Sequence, residues 1–333
     1  MARGRRLGEF ELIARYFRPL AHPDYGLDLA DDAAAMSFDP PGELVLTADT
    51  LIAGVHFFAD DPASLIARKA LRVNLSDLAA KGAEPVGYLM SIGLPYDWNE
   101  SWIEAFCGGL SRDQQEYGAA LLGGDTVCSP ERMVISITAI GRSGERGMVR
   151  RSGGETGDIV FVTGTIGDGA LGLKLRRDQS LARTWKLDAQ HKRFLEERYL
   201  LPQPRLSAIP ALRGHANAAM DVSDGLIGDL RKLAAASGVG VRLDMSAIPV
   251  SEAAGKAVAA SPALMKTLVG GGDDYEILAL VPPARSANFV AALEAIELPV
   301  REIGRCDGAL EAGSLVDGSG KTIDPDGDSF THF

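Results

Sequence analysis

The residues best suited to chemistry in this chain of 333 residues are aspartates in apolar or small-residue surroundings. They form five motifs: Asp31-Asp32, Asp49, Asp77, Asp125, and the pair Asp221 and Asp224. Carboxylate oxygens without an accompanying His or Cys favour a hard cation, Mg²⁺ above all. Each motif taken alone is also explained by the preference of Asp for turns and caps. Because clustered carboxylates repel one another, a shared site would need several metal ions to hold them.

The motif that turn preference does not explain is Asp77, because it falls on a helix predicted over about 62–82. Pro62 suits the first helical position, and Asp60 or Asp61 is the predicted N-cap. Gly82 supplies the C-terminal stop.

Helical spacing places Asp77 on an otherwise apolar face of this helix. The other members of that face are Ile66, Ala70, Val73 and Ala80. A carboxylate that faces a core is costly unless a partner or a metal ion meets it. The alternative interpretation is an i,i+4 ion pair of Asp77 with Lys81 on the solvated surface of the helix.

The other aspartates lie near short predicted strands and turns. Residues 42–50 alternate in polarity and predict a strand that runs out at Asp49. Further strands are predicted at 88–95, 133–141, 159–163 and 277–281, and a helix at 102–117. This alternation predicts a mixed α/β (α+β) fold. The polar, glycine-rich loop 150–158 is the predicted boundary between a domain of residues 1–148 and a domain of residues 149–333.

Composition narrows the classes of function. The formal charge of −11 argues against nucleic acid or an anionic membrane as the main partner. An apolar content of 46% indicates a globular protein with a sizeable core. The three widely spaced cysteines fit a reducing compartment better than a zinc site or a disulfide framework. With no signal peptide and no apolar run long enough to span a membrane, we expect a soluble, cytoplasmic protein.

Two further motifs are ambiguous. Residues 167–172 (GDGALG) follow a predicted strand and fit G-x-G-x-x-G, but no strand ending in Asp or Glu follows about twenty residues later. A phosphate-cradling turn or a plain packing turn explains them at least as well as a dinucleotide-binding turn. His56 lies beside Phe57 and Phe58, where a structural role is the commoner one. The residues alone predict a two-domain enzyme that uses several Mg²⁺ ions and a phosphorylated substrate, with a nucleotide as the favoured candidate.

Taken together, these motifs resemble the thiamine-monophosphate kinase family, part of the superfamily of aminoimidazole ribonucleotide synthetase. The resemblance runs from Gly8 to the terminal His332-Phe333. Its most specific segments are 49–57 (DTLIAGVHF), 70–80 (ALRVNLSDLAA), 123–126 (GGDT), 163–168 (TGTIGD), 221–226 (DVSDGL) and 271–276 (GGDDYE).

The resemblance implies an activity and an architecture. The activity is in-line transfer of the ATP γ-phosphoryl group to thiamine phosphate, assisted by several Mg²⁺ ions and giving thiamine diphosphate. The architecture is a homodimer that joins the sheets of its N-terminal domains, with an α/β C-terminal domain and an active site in the cleft between domains.

The resemblance also implies roles for individual residues. Matched to magnesium ligands are Asp32, Thr47, Asp49, Asp77, Asp125, Asp221 and Asp224. Matched to ATP contacts are Gly124, Asp125, Arg151 and Ser223. Matched to contacts with thiamine phosphate are His56, Asp273 and, as a replacement for an aromatic residue, Phe330. No general base is expected, because the acceptor phosphate is already ionised near neutral pH.

The chain departs from the family pattern at Ala30, Ala48 and Asp273, where Gly, a hydroxyl residue and Glu are usual. Two alternatives therefore accompany the kinase hypothesis. One is another ATP-dependent enzyme of the superfamily that acts on a different small phosphorylated substrate. The other is a non-catalytic ATP-binding protein.

Overall fold

The structure is a computed structural model that describes the backbone of residues 34–37 and residues 42–97 and 99–323. Ala30, Asp31, Asp32 and Phe330 lie outside the described residues. None of the helices in the described ranges is both long and apolar enough to cross a membrane.

The first half of the chain builds a five-stranded sheet with two helices. Its strands are β1 (Ala34–Ser37), β2 (Glu43–Ile52), β3 (Glu84–Leu94), β4 (Ala120–Cys128) and β5 (Val134–Arg142). They run in the order β1-β2-β5-β3-β4, antiparallel except for the parallel pair β3 and β4. Helices α1 (Ala63–Ala80) and α2 (Glu100–Tyr117) supply apolar residues to a core shared with this sheet.

Helix α1 forms close to where the sequence predicts it. Its C-terminus ends at the predicted glycine, but its N-terminus lacks the predicted cap. Its C-terminus is a Schellman motif: Gly82 has φ +63°, its N–H donates to the Ala79 carbonyl, and the Ala83 N–H donates to that of Leu78. The predicted N-cap is wrong, because the N-cap is Pro62 and no side chain caps it. Asp61 instead accepts a hydrogen bond from the Phe58 N–H.

The second half of the chain builds a six-stranded sheet in the order β11-β8-β10-β6-β9-β7. Its strands are β6 (Ile159–Thr163), β7 (Ala218–Asp221), β8 (Gly240–Leu243), β9 (Ile277–Val281), β10 (Val300–Asp307) and β11 (Leu315–Val316). Strands β6, β7 and β9 are buried at every position, because helices cover both faces of the sheet.

Eight helices belong to this second half within the described residues. They are α3 (Asp168–Arg177), α4 (Leu181–Thr184), α5 (Ala189–Leu200), α6 (Ile209–His215), α7 (Leu226–Ser237), α8 (Glu252–Ala260), α9 (Leu264–Gly270) and α10 (Pro283–Glu294). Helix α7 packs on one face of the sheet, and α6 and α10 pack on the other. The boundary between domains at residue 148 stays a prediction.

Helix α1 contacts both halves of the molecule. Ala79 and Ala80 at its C-terminal end pack in the core under β9 and α10. Fully buried Lys81 donates through Nζ to the Ala219 carbonyl on β7. A solvated surface pair of Asp77 with Lys81 is therefore the wrong interpretation, and α1 is the element that ties the two sheets together.

Two aspartates lie inside strands where the sequence predicts a strand end or a turn. Strand β2 continues past Asp49 to Ile52, since its pairing with β5 runs without interruption from Leu44 to Ile52. Asp125 lies within β4, paired with Ser91 of β3. Both strands are extended by pairing with strands that are distant in sequence, and a short stretch of sequence does not reveal such pairing.

Candidate active site between the two halves of the chain

A cavity of about 650 Å³ lies where the two halves of the chain meet. Its walls come mainly from β2, α1, α3, the loop that follows β7 and the loop that precedes β9. Eight of the residues with predicted roles line it: Thr47, Asp49, His56, Asp77, Asp221, Ser223, Asp224 and Asp273. Residues far apart in sequence are thus brought to one cavity.

One end of the cavity is acidic. Asp49 on β2, Asp77 on α1, and Asp221 and Asp224 around the end of β7 all reach it. Alternation along β2 puts Thr47 on the same face as Asp49. The Thr47 hydroxyl donates to Asp77 Oδ2 at 2.5 Å, which joins strand and helix across the site.

The acidic side chains are poorly compensated by positive charge. Burial, together with the charges of Asp221 and Asp49, holds the pKa of Asp77 well above its usual range. Burial raises the pKa of Asp221 to about 7, with Asp229 and Asp49 adding to the effect. Lys81 lowers both pKa values but is the weakest of the main influences on each. The site therefore favours protons or other cations.

Hydrogen bonds fix these carboxylates to the fold. Ser76 Oγ donates to Asp221 Oδ2 at 2.7 Å, which links α1 to the end of β7. Lys232 on α7 donates to Asp224 at 2.6 Å and to Asp229 at 2.9 Å. The Asp224 carboxylate therefore has the Lys232 ammonium beside it, and its oxygens can still accept further bonds from a ligand.

The other end of the cavity is basic and aromatic. Lys69 of α1, Lys174 and Arg177 of α3, and His56 line it together with Tyr199 of α5. The Ile52 N–H donates to Nδ1 of His56 at 3.0 Å, so the proton of this neutral imidazole is on Nε2. The cavity can thus receive a ligand that carries cations at one end and an anion at the other.

The loop before β9 has a strained conformation that the glycine-rich turn supports. Asp273 and Tyr275 have φ values of +70° and +54°, unusual for non-glycine residues. Between them, the buried Asp274 carboxylate accepts hydrogen bonds from the N–H groups of Gly167 at 2.7 Å and Gly169 at 3.1 Å. The carboxylate occupies the helix N-terminus where a dinucleotide phosphate would bind, so residues 167–172 form a packing turn.

Three predicted ATP or metal contacts do not line this cavity. Gly124 and Asp125 lie on β4, whose nine residues are all exposed. Arg151 lies in the loop before β6, and its carbonyl accepts a hydrogen bond from Ser237 Oγ. Asp32 and Phe330 lie outside the described residues. Within the described ranges, no three His, Cys, Asp or Glu side chains converge as a ready-made metal site.

At the basic end, the sequence predicted His56 but not Lys69, Lys174, Arg177 or Tyr199. Lys69 could have been predicted from the sequence, since Lys69, Val73 and Asp77 recur at intervals of four and therefore lie near one face of α1. Tyr199 and Tyr275 carried no such signal, because their approach to the cavity depends on how α5 and the loop before β9 pack on the first half of the chain.

Comparison with known proteins identifies relatives over nearly the whole chain. Residues 30–143 match the family described as AIR synthase related protein, N-terminal domain. Residues 155–313 match AIR synthase related protein, C-terminal domain. The first matched region contains the whole of the first sheet, and the second contains the second sheet except for β11.

Individual relatives share one name. Thiamine-monophosphate kinase of Caulobacter vibrioides is 42% identical over 89% of this chain and 83% of its own length. Thiamine-monophosphate kinase of Escherichia coli K12 is 39% identical over 98% of both chains. A solved structure described as AaThiL complexed with AMPPCP and TMP is 31% identical, with a TM-score of 0.86 over 100% of both chains.

Proposed function

The chain belongs to the thiamine-monophosphate kinase family, and from that membership we propose that it transfers the γ-phosphoryl group of ATP to thiamine phosphate. The observation that carries the proposal is the cavity with an acidic and a basic end. The AMPPCP and TMP of the related complex correspond to an ATP analogue and the acceptor. ATP is thus the co-substrate, and the kinase hypothesis is favoured over the two alternatives.

We propose that the acidic end binds several Mg²⁺ ions. The donors are hard oxygens, and burial, followed by the charges of neighbouring aspartates, raises the pKa values of Asp77 and Asp221, so a bound cation would stabilise their ionised forms. When bound, the ions would neutralise the phosphates of both substrates. The proposed ligands that line this end are Thr47, Asp49, Asp77, Asp221 and Asp224. Asp125, on exposed β4, and Asp32, outside the described residues, are proposed as ligands from the resemblance alone.

The protein itself would act by positioning. Thr47 and Ser76 hold the carboxylates of Asp77 and Asp221 in fixed orientations through the hydrogen bonds described above. We propose that Gly124, Asp125, Arg151 and Ser223 contact ATP. Since the acceptor oxygen is already ionised, aligning it with the γ-phosphorus is the main requirement for an in-line transfer.

The acceptor would bind at the basic end. We propose that His56 and Asp273 contact thiamine phosphate, His56 through the Nε2–H and Asp273 through its carboxylate. We also propose Phe330, which lies outside the described residues, as the aromatic residue that contacts thiamine phosphate.

We propose that the active form is a homodimer joined through β4. This strand lies at the edge of the described sheet. It exposes 47% of Leu121, 54% of Leu122 and 52% of Val127. An exposed nine-residue edge strand that carries three large apolar side chains is unusual in a monomer and suits pairing with the same strand of a second chain. A cytoplasmic location stays a prediction.

The test of the activity is ADP release by the purified protein with ATP and MgCl₂, comparing thiamine phosphate, free thiamine and no acceptor. Thiamine diphosphate formed only from thiamine phosphate, and lost on addition of EDTA, is the expected result. ATP turnover with neither acceptor would favour another enzyme of the superfamily. ATP binding without turnover would favour a non-catalytic protein.

A further inference from the structure

Lys69 is a buried cation at the basic end of the cavity. Lys69 is only 3% exposed, and its Nζ lies 3.1 Å from Asp273 Oδ1 and 3.7 Å from the centroid of the Tyr199 ring. Among the described residues, no acceptor meets the geometry of a hydrogen bond to this ammonium group. The group therefore has an ion-pair partner and an aromatic neighbour, but none of its three N–H donors has a well-aligned acceptor among the described residues.

A buried ammonium whose donors lack well-aligned acceptors is an expensive arrangement. The cost falls when an acceptor enters the cavity that Lys69 lines. The ring of Tyr199 offers a cation–π contact, which provides no hydrogen-bond acceptor. Lys69 is thus prepared to bind an anion that arrives from the cavity.

The position of Lys69 on α1 fits one particular anion. Lys69 and Asp77 lie on the same face of the helix, about 12 Å apart at 1.5 Å per residue. The acidic end near Asp77 is the proposed position of the metal ions and the ATP phosphates. An acceptor phosphate that receives the γ-phosphoryl group must lie between that end and Lys69, so the Lys69 ammonium is placed to hold this phosphate from the side opposite the nucleotide.

We propose that Lys69 is an acceptor-binding residue that makes the site select thiamine phosphate over free thiamine, an inference that rests on the proposed function. Without acceptor, Lys69 pairs with Asp273. Thiamine phosphate brings an anionic phosphate for Lys69 and a cationic thiazolium ring for Asp273, so both charges of the pair receive a new partner. Free thiamine brings only the cation, and its binding to Asp273 would leave Lys69 buried without a counter-charge.

The test is calorimetric titration of thiamine phosphate and of free thiamine into wild type and Lys69→Met, each with MgCl₂ and AMPPCP present. The variant should bind thiamine phosphate about 10- to 100-fold more weakly, the range expected for a hydrogen bond to a charged group. Its affinity for free thiamine should be unchanged or higher, because a competitor for Asp273 is gone. Equal weakening for both ligands, or no change for either, would overturn the proposal.

A double-variant cycle separates phosphate binding from a purely structural pairing with Asp273. If Lys69 served only to neutralise Asp273, Lys69→Met would have no effect in an Asp273→Asn background. Binding to the phosphate predicts that the loss of affinity for thiamine phosphate persists there. Lys69→Arg should restore part of the selectivity. Lys256→Met, which changes an exposed lysine outside the cavity, is the matched control and should leave both affinities unchanged.

Failure of this proposal and failure of the proposed function give different results. If wild type forms no thiamine diphosphate, the kinase activity is refuted, and the titrations still measure selectivity. If wild type is active but Lys69→Met keeps the wild-type ratio of the two affinities, only the role of Lys69 is refuted. Thermal unfolding of each variant with and without AMPPCP establishes that the fold and the nucleotide site are intact.

Discussion

Asp221→Asn tests whether the negative charge at the acidic end of the site is uncompensated until cations bind. The substitution removes one negative charge and keeps the shape of the side chain. The amide oxygen can still accept the hydrogen bond from Ser76 Oγ. We therefore expect a variant that is more stable than wild type without metal, yet inactive.

The magnitude follows from the pKa of Asp221, which is about 7 in the folded protein against an ordinary value of 3.8. Because folding raises this pKa, the folded protein holds the proton more tightly than the unfolded chain does. The free energy of unfolding is therefore unaffected by this group below pH 3.8 and falls as the pH rises from 3.8 to about 7. At about 1.4 kcal/mol for each pH unit, wild type should lose on the order of 3 kcal/mol between pH 5 and pH 7 from this group alone. The amide of the Asp221→Asn variant does not ionise, so the variant escapes that loss.

The assay is thermal unfolding in EDTA at pH 5 and pH 8, repeated with MgCl₂. At pH 8 in EDTA, Asp221→Asn should melt several degrees above wild type, at about 2–4 °C for each kcal/mol. Added Mg²⁺ should raise the melting temperature of wild type and have a smaller effect on the variant. Turnover should fall at least about 100-fold, as for loss of a preorganised charge.

Asp113→Asn is the matched control, a buried aspartate outside the cavity that Arg68 and Arg72 hold at 2.7 Å each. The same change there should destabilise the protein by about 3–5 kcal/mol, because it leaves buried guanidinium groups without a full counter-charge. Its response to Mg²⁺ should match that of wild type. If Asp221→Asn melted below wild type at pH 8 in EDTA, or kept near-normal turnover, the account of the acidic end would be wrong.

Three further changes test other parts of the site. Asp77→Asn should abolish turnover while circular dichroism and unfolding show an intact fold; near-normal activity would remove Asp77 from the metal site. Leu122→Lys on β4 should shift the protein from dimer to monomer in light scattering at micromolar concentration, and an unchanged mass would exclude β4 as the interface. Gly169→Ala places a methyl group 2.2 Å from the Asp273 carbonyl oxygen, so the KM for thiamine phosphate should rise at least about fivefold with the KM for ATP unchanged. Gly255→Ala, where the added methyl group meets open space, should leave both KM values at wild-type level and shows whether the effect is specific.

Local patterns determined much of the fold. Apolar periodicity and the glycine after it placed α1 to within a residue or two at either end, because a Schellman turn depends on a single position with positive φ. The short apolar strands β6 and β9 were predicted at the residues where they form, since runs of β-branched and aliphatic residues bounded by polar loops have few alternatives. The unusual surroundings of Asp77 were visible in the helical spacing alone.

Contacts between distant segments decided the rest. The continuation of β2 past Asp49 depends on pairing with β5. The role of residues 167–172 depends on Asp274, which is more than 100 residues away in sequence and accepts hydrogen bonds from the N–H groups of this turn. At the basic end of the cavity, α1 brings Lys69 against Asp273 and Tyr199, which are distant from it in sequence. Sequence periodicity reports which face of an element is buried, because burial follows from the residues of that element. Which charges meet across a cavity depends on how separate elements pack, and only the tertiary structure contains that information.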